Sequence, residues 1–197
     1  MGERPTLVVM VKAPRPGRVK TRLAAQVGPT EALRFTRAAT AALLRRLGRD
    51  PRWRLVLAVA PDHLAQAGFW PPGIPRLPQG PGDLGARMQR LFDRATGPVV
   101  IVGSDIPGIR PGHVARAVRL LGRAEAVLGP AEDGGYWLVG ARRRPRVPRP
   151  FAGVRWSGPH ALADTLNNLS GPAAFADRLE DVDTLEAWRR WRRAGAR

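Results

Sequence analysis

The sequence predicts a single α/β domain over residues 1–197, a three-layer α/β/α sandwich around a mostly parallel sheet with an antiparallel edge. The first observation behind this prediction is that short apolar runs, typical of buried strands, alternate with longer stretches of helical periodicity. The second is a pair of apolar runs around Asp133-Gly134-Gly135, a strong hairpin signal late in the chain. Alternating strands and helices build a parallel sheet, and the hairpin adds the antiparallel edge.

The first half of the chain sets the alternation. Residues 6–13 are predicted to form a buried strand because β-branched residues are dense there. A helix follows over residues 28–48, with Pro29 in its first turn and Gly48 at the position just after its end. Residues 53–60 form the second strand.

In the second half of the chain, two helices and a strand are predicted before the hairpin, and two further helices are predicted after it. The predicted helices cover residues 82–97, 110–122, 157–171 and 183–195, and the predicted strand covers residues 98–105. The basic segment 141–150 is predicted to be an irregular loop and not a domain boundary.

The composition is that of an ordinary globular protein. The chain has 197 residues, enough for one substantial core, of which 44% are hydrophobic and 25% charged. It contains no cysteine, which excludes a disulfide framework and the usual thiolate ligands of a zinc site. The lack of a long apolar run or a leader pattern predicts a cytoplasmic protein without a membrane span.

The formal net charge of +17 raises the question of nucleic-acid binding. Arginine supplies almost all of the excess and is spread along the chain, whereas lysine occurs only at Lys12 and Lys20. No zinc-finger, helix-turn-helix or RNA-binding pattern organises these residues. The charge therefore favours a compositional bias over nucleic-acid binding, and anionic ligands remain a class of partner.

The loop after the first strand has features of a phosphate site. Pro14 and Pro16 prevent regular structure, Gly17 permits a close turn, and Lys20 and Arg22 stand where a helix begins. A turn that enters a helix N-terminus presents backbone N–H groups to an anion, and the basic side chains add charge. Phosphate binding and a solvated basic loop are equally compatible with this pattern, which matches neither the Walker motif nor GxGxxG.

Asp105 directly follows the apolar run of residues 98–104 and precedes a turn. A carboxylate at the carboxyl end of a buried strand is well placed to hold a hard cation such as Mg²⁺. A turn aspartate that bonds its own backbone explains the same position, and from the residues alone this interpretation is favoured.

Two other acidic segments also have a structural and a functional interpretation. In the hairpin, Asp133 fits a tight turn, while Glu132 and Asp133 are also candidates to contact a metal or a sugar hydroxyl. Near the C-terminus, Asp183 and Glu186 fit an acidic capping box, which is favoured locally. Asp181 and Asp183 are the alternative there, as metal ligands.

Glycines surround the start of the helix at residues 82–97. Gly82 and Asp83, together with Gly80 and Gly85, either form a backbone pocket for a nucleobase or ribose, or form a glycine-rich helix cap. In the first interpretation Gly82 and Asp83 are nucleotide-binding residues. The sequence does not separate the two.

Six segments, in this order, resemble a GT-A-like family known as glycosyltransferase family A, or as transferases associated with radical-SAM and selenodomain proteins. They run from about Leu7 to about Trp188 and read VKAPRPGRVKTRL, PQGPGDLGARM, VGSDIPGI, GPAEDGGYWLVG, RWS and DVDTLEAW. The resemblance implies a nucleotide-diphospho-sugar transferase fold, which glycosyltransferases and nucleotidylyltransferases share.

The resemblance also implies roles for particular residues. In that superfamily the loop after the first strand binds the nucleotide phosphates, and here the loop carries Lys12, Arg15, Gly17, Arg18, Lys20 and Arg22. The acidic residue after the middle strand binds Mg²⁺ or Mn²⁺, which corresponds to Asp105, and Asp183 corresponds to a second ligand. The opening loop has one glycine and two prolines, and Ser104-Asp105-Ile106 stands where many glycosyltransferases have Asp-x-Asp, so the reaction is less defined than the fold.

The sequence thus predicts a metal-dependent transferase with an activated nucleotide donor of the nucleotide-sugar class and an unidentified small-molecule acceptor. Lys20 and Arg22 would stabilise the departing phosphate, and Asp133, ahead of Glu132, would act as base or orient the acceptor. The alternatives are a guanylyltransferase-like nucleotidylyltransferase that releases pyrophosphate and acts on a small phosphorylated acceptor, and a non-catalytic basic protein that binds nucleic acid. Trp188 and Trp191 fit either packing on the core or a homodimer contact.

Overall fold

Seven strands form one sheet within residues 3–195, the part of the chain that this computed structural model describes. The ends of the predicted domain, residues 1–2 and 196–197, lie outside the described residues. In chain order the strands are β1 (Thr6–Lys12), β2 (Arg54–Ala60), β3 (Arg76–Pro78), β4 (Val99–Gly103), β5 (Ala126–Pro130), β6 (Tyr136–Ala141) and β7 (Ala173–Phe175).

Helices connect these strands. They are α1 (Thr21–Val27), α2 (Pro29–Gly48), α3 (Leu84–Arg94), α4 (Pro111–Leu120), α5 (Ala161–Asn167) and α6 (Leu185–Gly195), with one 3₁₀ turn at Asp62–Leu64. Of the two interpretations of Gly82 and Asp83, the helix cap is present, because the Asp83 carboxylate accepts the N–H of Ala86 at 2.8 Å, and the nucleotide pocket stays a prediction.

The strand order across the sheet is β3-β2-β1-β4-β6-β5-β7. β1 runs parallel to its neighbours β2 and β4, and β7 runs parallel to β5. β6 is antiparallel to both β4 and β5, and the β5–β6 pair is the predicted hairpin. The predicted α/β class, with a mostly parallel sheet and an antiparallel part supplied by the hairpin, is confirmed.

Alternating residues of the central strands point into two separate cores, so the sheet is covered on both faces. In β1, Leu7 and Val9 join a cluster with Leu43 of α2 and Val114 of α4. Val8 points the other way, into a cluster that contains Met88, Leu91 and Phe92 of α3. The period of two along the strand therefore builds the three layers.

Several details differ from the prediction. β3 and β7 were not predicted, because three-residue strands such as Arg76–Pro78 are too short to show a period of two. Gly48 was expected just beyond its helix, but α2 continues through it. A Cβ at this position would lie 3.3 Å from Leu55 Cδ2, so close packing on β2 accounts for the glycine.

A third apolar cluster holds the C-terminal helix against α1 and α2. Val182 and Ala187 are buried there against Leu23 and Phe35, and the Trp191 ring meets the Phe35 ring edge-on, with ring centroids 4.8 Å apart. Trp188 also packs against this cluster. The two tryptophans therefore pack within the chain, and the homodimer contact stays a prediction.

Candidate functional site

Two adjoining cavities open at the carboxyl ends of β1 and β4. The smaller, here called the ionic pocket, has a volume of about 280 Å³ and extends toward Phe35 and Thr36 of α2. The larger, here called the cleft, has a volume of about 550 Å³ and extends toward α3, the hairpin and α5. The two share a border formed by Lys12, Arg22, Ser104, Asp105 and Asp183.

Lys20 lines the ionic pocket next to this border and contacts its acidic residues. Its ammonium donates to Asp105 Oδ2 at 2.6 Å and to Asp183 Oδ1 at 3.1 Å, and it lies 3.8 Å from Asp181 Oδ2. The Lys20 side chain is 10% exposed, whereas the three carboxylate side chains are 31–40% exposed. An ammonium thus lies beneath three carboxylates whose outer edges face solvent.

Backbone geometry at both ends of this contact brings the charges together. Lys20 has φ 47° and ψ 51°, a left-handed conformation that turns the chain from the loop into α1. Asp105 follows β4 after Gly103, and a Cβ on Gly103 would lie 2.8 Å from Asp105 Oδ1. Only a glycine at position 103 leaves room for the carboxylate where it stands.

The C-terminal segment delivers the other two aspartates. Val182 is 5% exposed, its side chain is packed in the third cluster, and its N–H donates to the Asp105 carbonyl at 3.2 Å. With Val182 anchored, Asp181 and Asp183 on either side of it reach Lys20.

The favoured local interpretation of Asp183 as a helix cap is wrong. Thr184 caps α6, because its hydroxyl accepts the N–H of Ala187 at 3.2 Å, and this frees the Asp183 carboxylate to bond Lys20. Only Asp183 was considered as the cap of this helix from the sequence, and the helix begins one residue later than an Asp183 cap requires.

Lys20 and the three aspartates around it, Asp105, Asp181 and Asp183, are here called the acidic cluster. The surroundings within this cluster shift the pKa values of two of its members. Burial alone would lower the pKa of the Lys20 ammonium, but its contacts with Asp105 and Asp183 outweigh burial and raise that pKa above the ordinary lysine value. Burial raises the pKa of Asp181; the Lys20 charge opposes the rise, and the neighbouring carboxylates of Asp105, Asp183 and Asp133 add to it. At neutral pH Lys20 is therefore charged, and ionisation of Asp181 costs more in the folded protein than in a free aspartate.

The oxygen donors suit a divalent cation, although the described residues hold them around an ammonium. Within residues 3–195 no three acidic or histidine side chains are arranged ready to hold a metal ion. Asp105 and Asp183 nevertheless supply carboxylate oxygens, the ligands that Mg²⁺ and Mn²⁺ prefer, and each is about one-third exposed toward the cavities. The residues fit such an ion chemically.

The part of the cleft away from the charges is apolar and aromatic. Leu84 and Met88 of α3 line one side, and Tyr136 and Trp156 line another. The Tyr136 hydroxyl lies 3.2 Å from Thr165 Oγ1, and burial raises the pKa of the Tyr136 phenol, with the Thr165 contact opposing the rise. Tyr136 therefore remains a neutral phenol at physiological pH.

The hairpin turn contributes one acidic side chain to the cleft. Asp133 lines the cleft, and its Oδ1 accepts the N–H of Gly135 at 2.9 Å. Gly134 has φ 83°, and a Cβ there would lie 2.5 Å from Pro159 Cα, so only glycine fits this turn. Glu132 is exposed and does not line the cleft, and Trp137 is buried with its indole N–H donating to the Asp177 carbonyl at 2.9 Å.

The residues predicted to bind nucleotide fall into two groups. Lys12, Lys20 and Arg22 line the cavities, and the Arg22 guanidinium is 3.6 Å from Asp183 with its side chain 76% exposed. The others lie outside both cavity linings and stay predictions: Arg15, Gly17 and Arg18 are on the exposed part of the loop, and Gly82 and Asp83 are at the start of α3.

Sequence reasoning missed several residues of the cleft wall. Gln79 is 5% exposed, and its side-chain amide donates to the carbonyls of Val11 and Ala58, which ties together β1 and β2 beside the cleft. A lone glutamine after a short, unpredicted strand gives no signal of this role. Trp156 lies in the RWS segment, which carried the resemblance but had no assigned role, and its position in the cleft wall follows from the packing of Gly85 against its ring.

The helices can be compared with the requirements for a membrane span. None of those within residues 3–195 combines the length and the apolar character needed to cross a bilayer.

Solved structures similar to this one share its fold. A protein from Desulfovibrio desulfuricans, provisionally named a nucleotide-diphospho-sugar transferase, is 30% identical, with a TM-score of 0.87 over 99% of this chain and 88% of its own. Rv0371c from Mycobacterium tuberculosis, in a complex with manganese, is 21% identical, with a TM-score of 0.53 over 95% and 97% of the two chains. The 4-diphosphocytidyl-2C-methyl-D-erythritol synthase of Anaerococcus prevotii is 9% identical, with a TM-score of 0.65 over the whole of both chains.

These similarities confirm the resemblance at the level of the superfamily. The chain has a nucleotide-diphospho-sugar transferase fold and is structurally similar to transferases and nucleotidyltransferases that share it. No curated protein is similar to it in sequence. Residues 43–158 match the family described as "Uncharacterized protein conserved in bacteria (DUF2064)", and the chain belongs to that family.

Proposed function

We propose that this protein is a metal-dependent transferase whose donor is an activated nucleotide of the nucleotide-sugar class. The observation that carries the proposal is the convergence of Lys20 and Arg22 with Asp105 and Asp183 at the carboxyl ends of β1 and β4. This end of an open α/β sheet is where ligands bind. The provisional name of the Desulfovibrio protein and the manganese in the Rv0371c structure support the proposal.

The basic residues at the border and beside it suit a diphosphate. Transfer from a nucleotide diphosphate builds negative charge on the departing phosphate, and fixed positive groups stabilise that charge in the transition state. Lys12 and Lys20 would supply point charges, and Arg22, with most of its side chain exposed, has a planar fork that matches two phosphate oxygens.

Asp105 and Asp183 would hold the divalent cation, Mg²⁺ or Mn²⁺. Bound there, the cation would help to neutralise the charge that develops on the diphosphate. The protein's own contribution is to hold the two carboxylates from distant parts of the chain, through β4 and through the anchored Val182.

The acceptor would bind in the apolar part of the cleft. Asp133 is the acidic side chain of the hairpin there, and we propose that it orients an acceptor hydroxyl or removes its proton. Among the residues that line the cleft, Lys12 and Arg22 are the cations, and both are at the border where the donor diphosphate would bind. The apolar end therefore suits an acceptor without a charged group at that place, such as one that offers a hydroxyl for glycosyl transfer.

The experiment that tests this proposal is isothermal titration of the protein with UDP, GDP, CDP and dTDP, each with and without Mg²⁺ or Mn²⁺. We expect one diphosphate to bind and to require the metal. The Asp105→Asn variant should lose this metal-dependent binding by at least about 100-fold, because it removes a ligand charge from the site. Unchanged affinity of that variant in the presence of Mg²⁺ would remove Asp105 from the metal site.

Asp133→Asn is the matched control on the same cleft. It should keep diphosphate affinity within about threefold and lower turnover by about 10²-fold or more once an acceptor is known, because a general base contributes that much. Binding of triphosphates alone, with pyrophosphate release, would instead establish the nucleotidylyltransferase. Tight, salt-dependent binding of polynucleotides without any response to diphosphates would establish the nucleic-acid-binding alternative.

A further inference from the structure

The Lys20 ammonium contacts the aspartates of the acidic cluster, and binding to a phosphate would not require these contacts. Its ammonium reaches three aspartates, at 2.6, 3.1 and 3.8 Å, and its side chain is only 10% exposed. A lysine whose sole task was to meet a phosphate would extend into the cavity. This one instead lies under the carboxylates that would hold the divalent cation.

An ammonium and a divalent cation are alternative counter-ions for the same oxygens. Each carboxylate oxygen that accepts from Lys20 at 2.6–3.1 Å is engaged and less available to a second cation. The charge of Lys20, so close to both Asp105 and Asp183, also repels any cation that approaches them. Both effects weaken the binding of a free metal ion.

We propose that Lys20 is the internal counter-ion of this cluster in the nucleotide-free protein, where it competes with a free divalent cation for Asp105 and Asp183. On this proposal, which rests on the proposed function, the phosphates of an incoming nucleotide attract the Lys20 ammonium away from the two carboxylates. The carboxylates are then free for the cation, so cation and nucleotide bind together and each strengthens the other.

The second lysine of the chain provides a matched control. Lys12 has the same side-chain type, ends β1 just before the loop that contains Lys20, and lines both cavities. It is exposed and, within residues 3–195, forms no ion pair with a carboxylate. Lys12→Met therefore removes one lysine charge from the cavity lining but leaves the acidic cluster paired with Lys20.

The test is a titration of MnCl₂ without nucleotide, with free Mn²⁺ measured by electron paramagnetic resonance. We expect Lys20→Met to bind Mn²⁺ at least about tenfold more tightly than the unchanged protein, whereas Lys12→Met changes the affinity less than about threefold. Lys20→Arg, which keeps the charge, should bind Mn²⁺ as weakly as the unchanged protein. Circular dichroism and thermal melting verify that each variant is folded, and Lys20→Gln replaces Lys20→Met if the latter is not.

A Mn²⁺ affinity of Lys20→Met equal to or lower than that of the unchanged protein overturns the inference. So does tight Mn²⁺ binding by the unchanged protein without nucleotide. A second titration, with the diphosphate that binds, should raise the Mn²⁺ affinity of the unchanged protein by at least tenfold and that of Lys20→Met by less. Failure of every diphosphate to bind would count against the proposed function and leave the nucleotide-free result to decide the role of Lys20.

Discussion

Asp105 and Asp133 both follow a strand and both line the cleft, yet their carboxylates are used in opposite ways. The Asp133 carboxylate accepts the N–H of Gly135, two residues further along, at 2.9 Å. The Asp105 carboxylate accepts from the Lys20 ammonium, 85 residues away, at 2.6 Å. The first bond fixes the shape of a turn, and the second exists only after the sheet has assembled. Local bonding thus accounts for the hairpin, whereas the acidic cluster is a product of the tertiary fold.

The hairpin turn should be destabilised by the addition of a single methyl group. Gly134→Ala should lower the free energy of unfolding by about 3 kcal/mol, because it combines a left-handed backbone with a clash against Pro159. Gly153→Ala is the control, since Gly153 has φ 64° but a Cβ there would meet no atom within 4 Å, and it should cost only about 1 kcal/mol. Urea unfolding at pH 7 measures both. Equal losses in the two variants would show that Pro159 does not restrict the turn.

Replacement of Lys20 removes the positive charge of the acidic cluster. The pH dependence of the free energy of unfolding tests the role of that charge most directly. At pH 7, Lys20→Met should lower the free energy of unfolding by about 2 kcal/mol, because it leaves three carboxylates without their common counter-ion. The folded-state pKa of Lys20 is raised above the ordinary value of 10.5, so its contribution is fully present below pH 10.5 and is lost as the pH rises through the folded-state pKa. The difference between the variant and the unchanged protein should therefore stay constant up to about pH 10.5 and shrink above it in urea titrations.

Few other groups titrate in that alkaline range. The chain has two lysines, one tyrosine and no cysteine. The pKa of Tyr136 is also raised, so its titration likewise lowers stability above pH 10, and Tyr136→Phe serves to subtract that effect. A gap between Lys20→Met and the unchanged protein that stays constant up to pH 12, in the Tyr136→Phe background, would contradict the ion-pair origin of the stability.

The same contrast explains how far the sequence could be interpreted. Elements with local signals were predicted well, namely the β-branched run of β1 and the Asp133-Gly134 hairpin, and the Asp83 cap of α3 was one of the two alternatives that the sequence offered. The acidic cluster depended on contacts that no local pattern encodes. Asp105 and Lys20 could be placed at the same end of the sheet, but the pairing between them could not be predicted from residues 85 positions apart.

The C-terminal segment shows why local reasoning failed where it did. Asp183 and Thr184 are both good helix caps, and the choice between them depends on which one the fold occupies elsewhere. The burial of Val182 and the bond from its N–H to the Asp105 carbonyl place Asp183 beside Lys20, and Thr184 becomes the cap. A tertiary contact thus decided a question that the sequence posed as one of helix propensity.

Removal of one carboxylate charge from the acidic cluster measures how much a single aspartate contributes to stability. Asp183→Asn keeps the shape of the side chain but weakens its contact with the Lys20 ammonium, now 3.1 Å from Oδ1. It should lower the free energy of unfolding by about 1 kcal/mol at pH 7, a modest loss because the carboxylate is partly exposed. Urea unfolding at low and high salt measures it, and the loss should shrink as salt screens the pair.

The smallest effect has the opposite sign. The pKa of Asp181 is raised above 3.8 by burial and by its acidic neighbours, so any advantage of the folded state from this group is present below pH 3.8 and is lost as the pH rises through the folded-state pKa. Asp181→Asn removes the ionised carboxylate and should raise the free energy of unfolding at pH 7 by less than about 1 kcal/mol, since solvent screens a side chain that is 40% exposed. The gain should vanish at pH 3.5. If Asp181→Asn instead destabilised the protein as much as Asp183→Asn does, Lys20 would pair equally with both aspartates, and the crowding of negative charge inferred for Asp181 would be wrong.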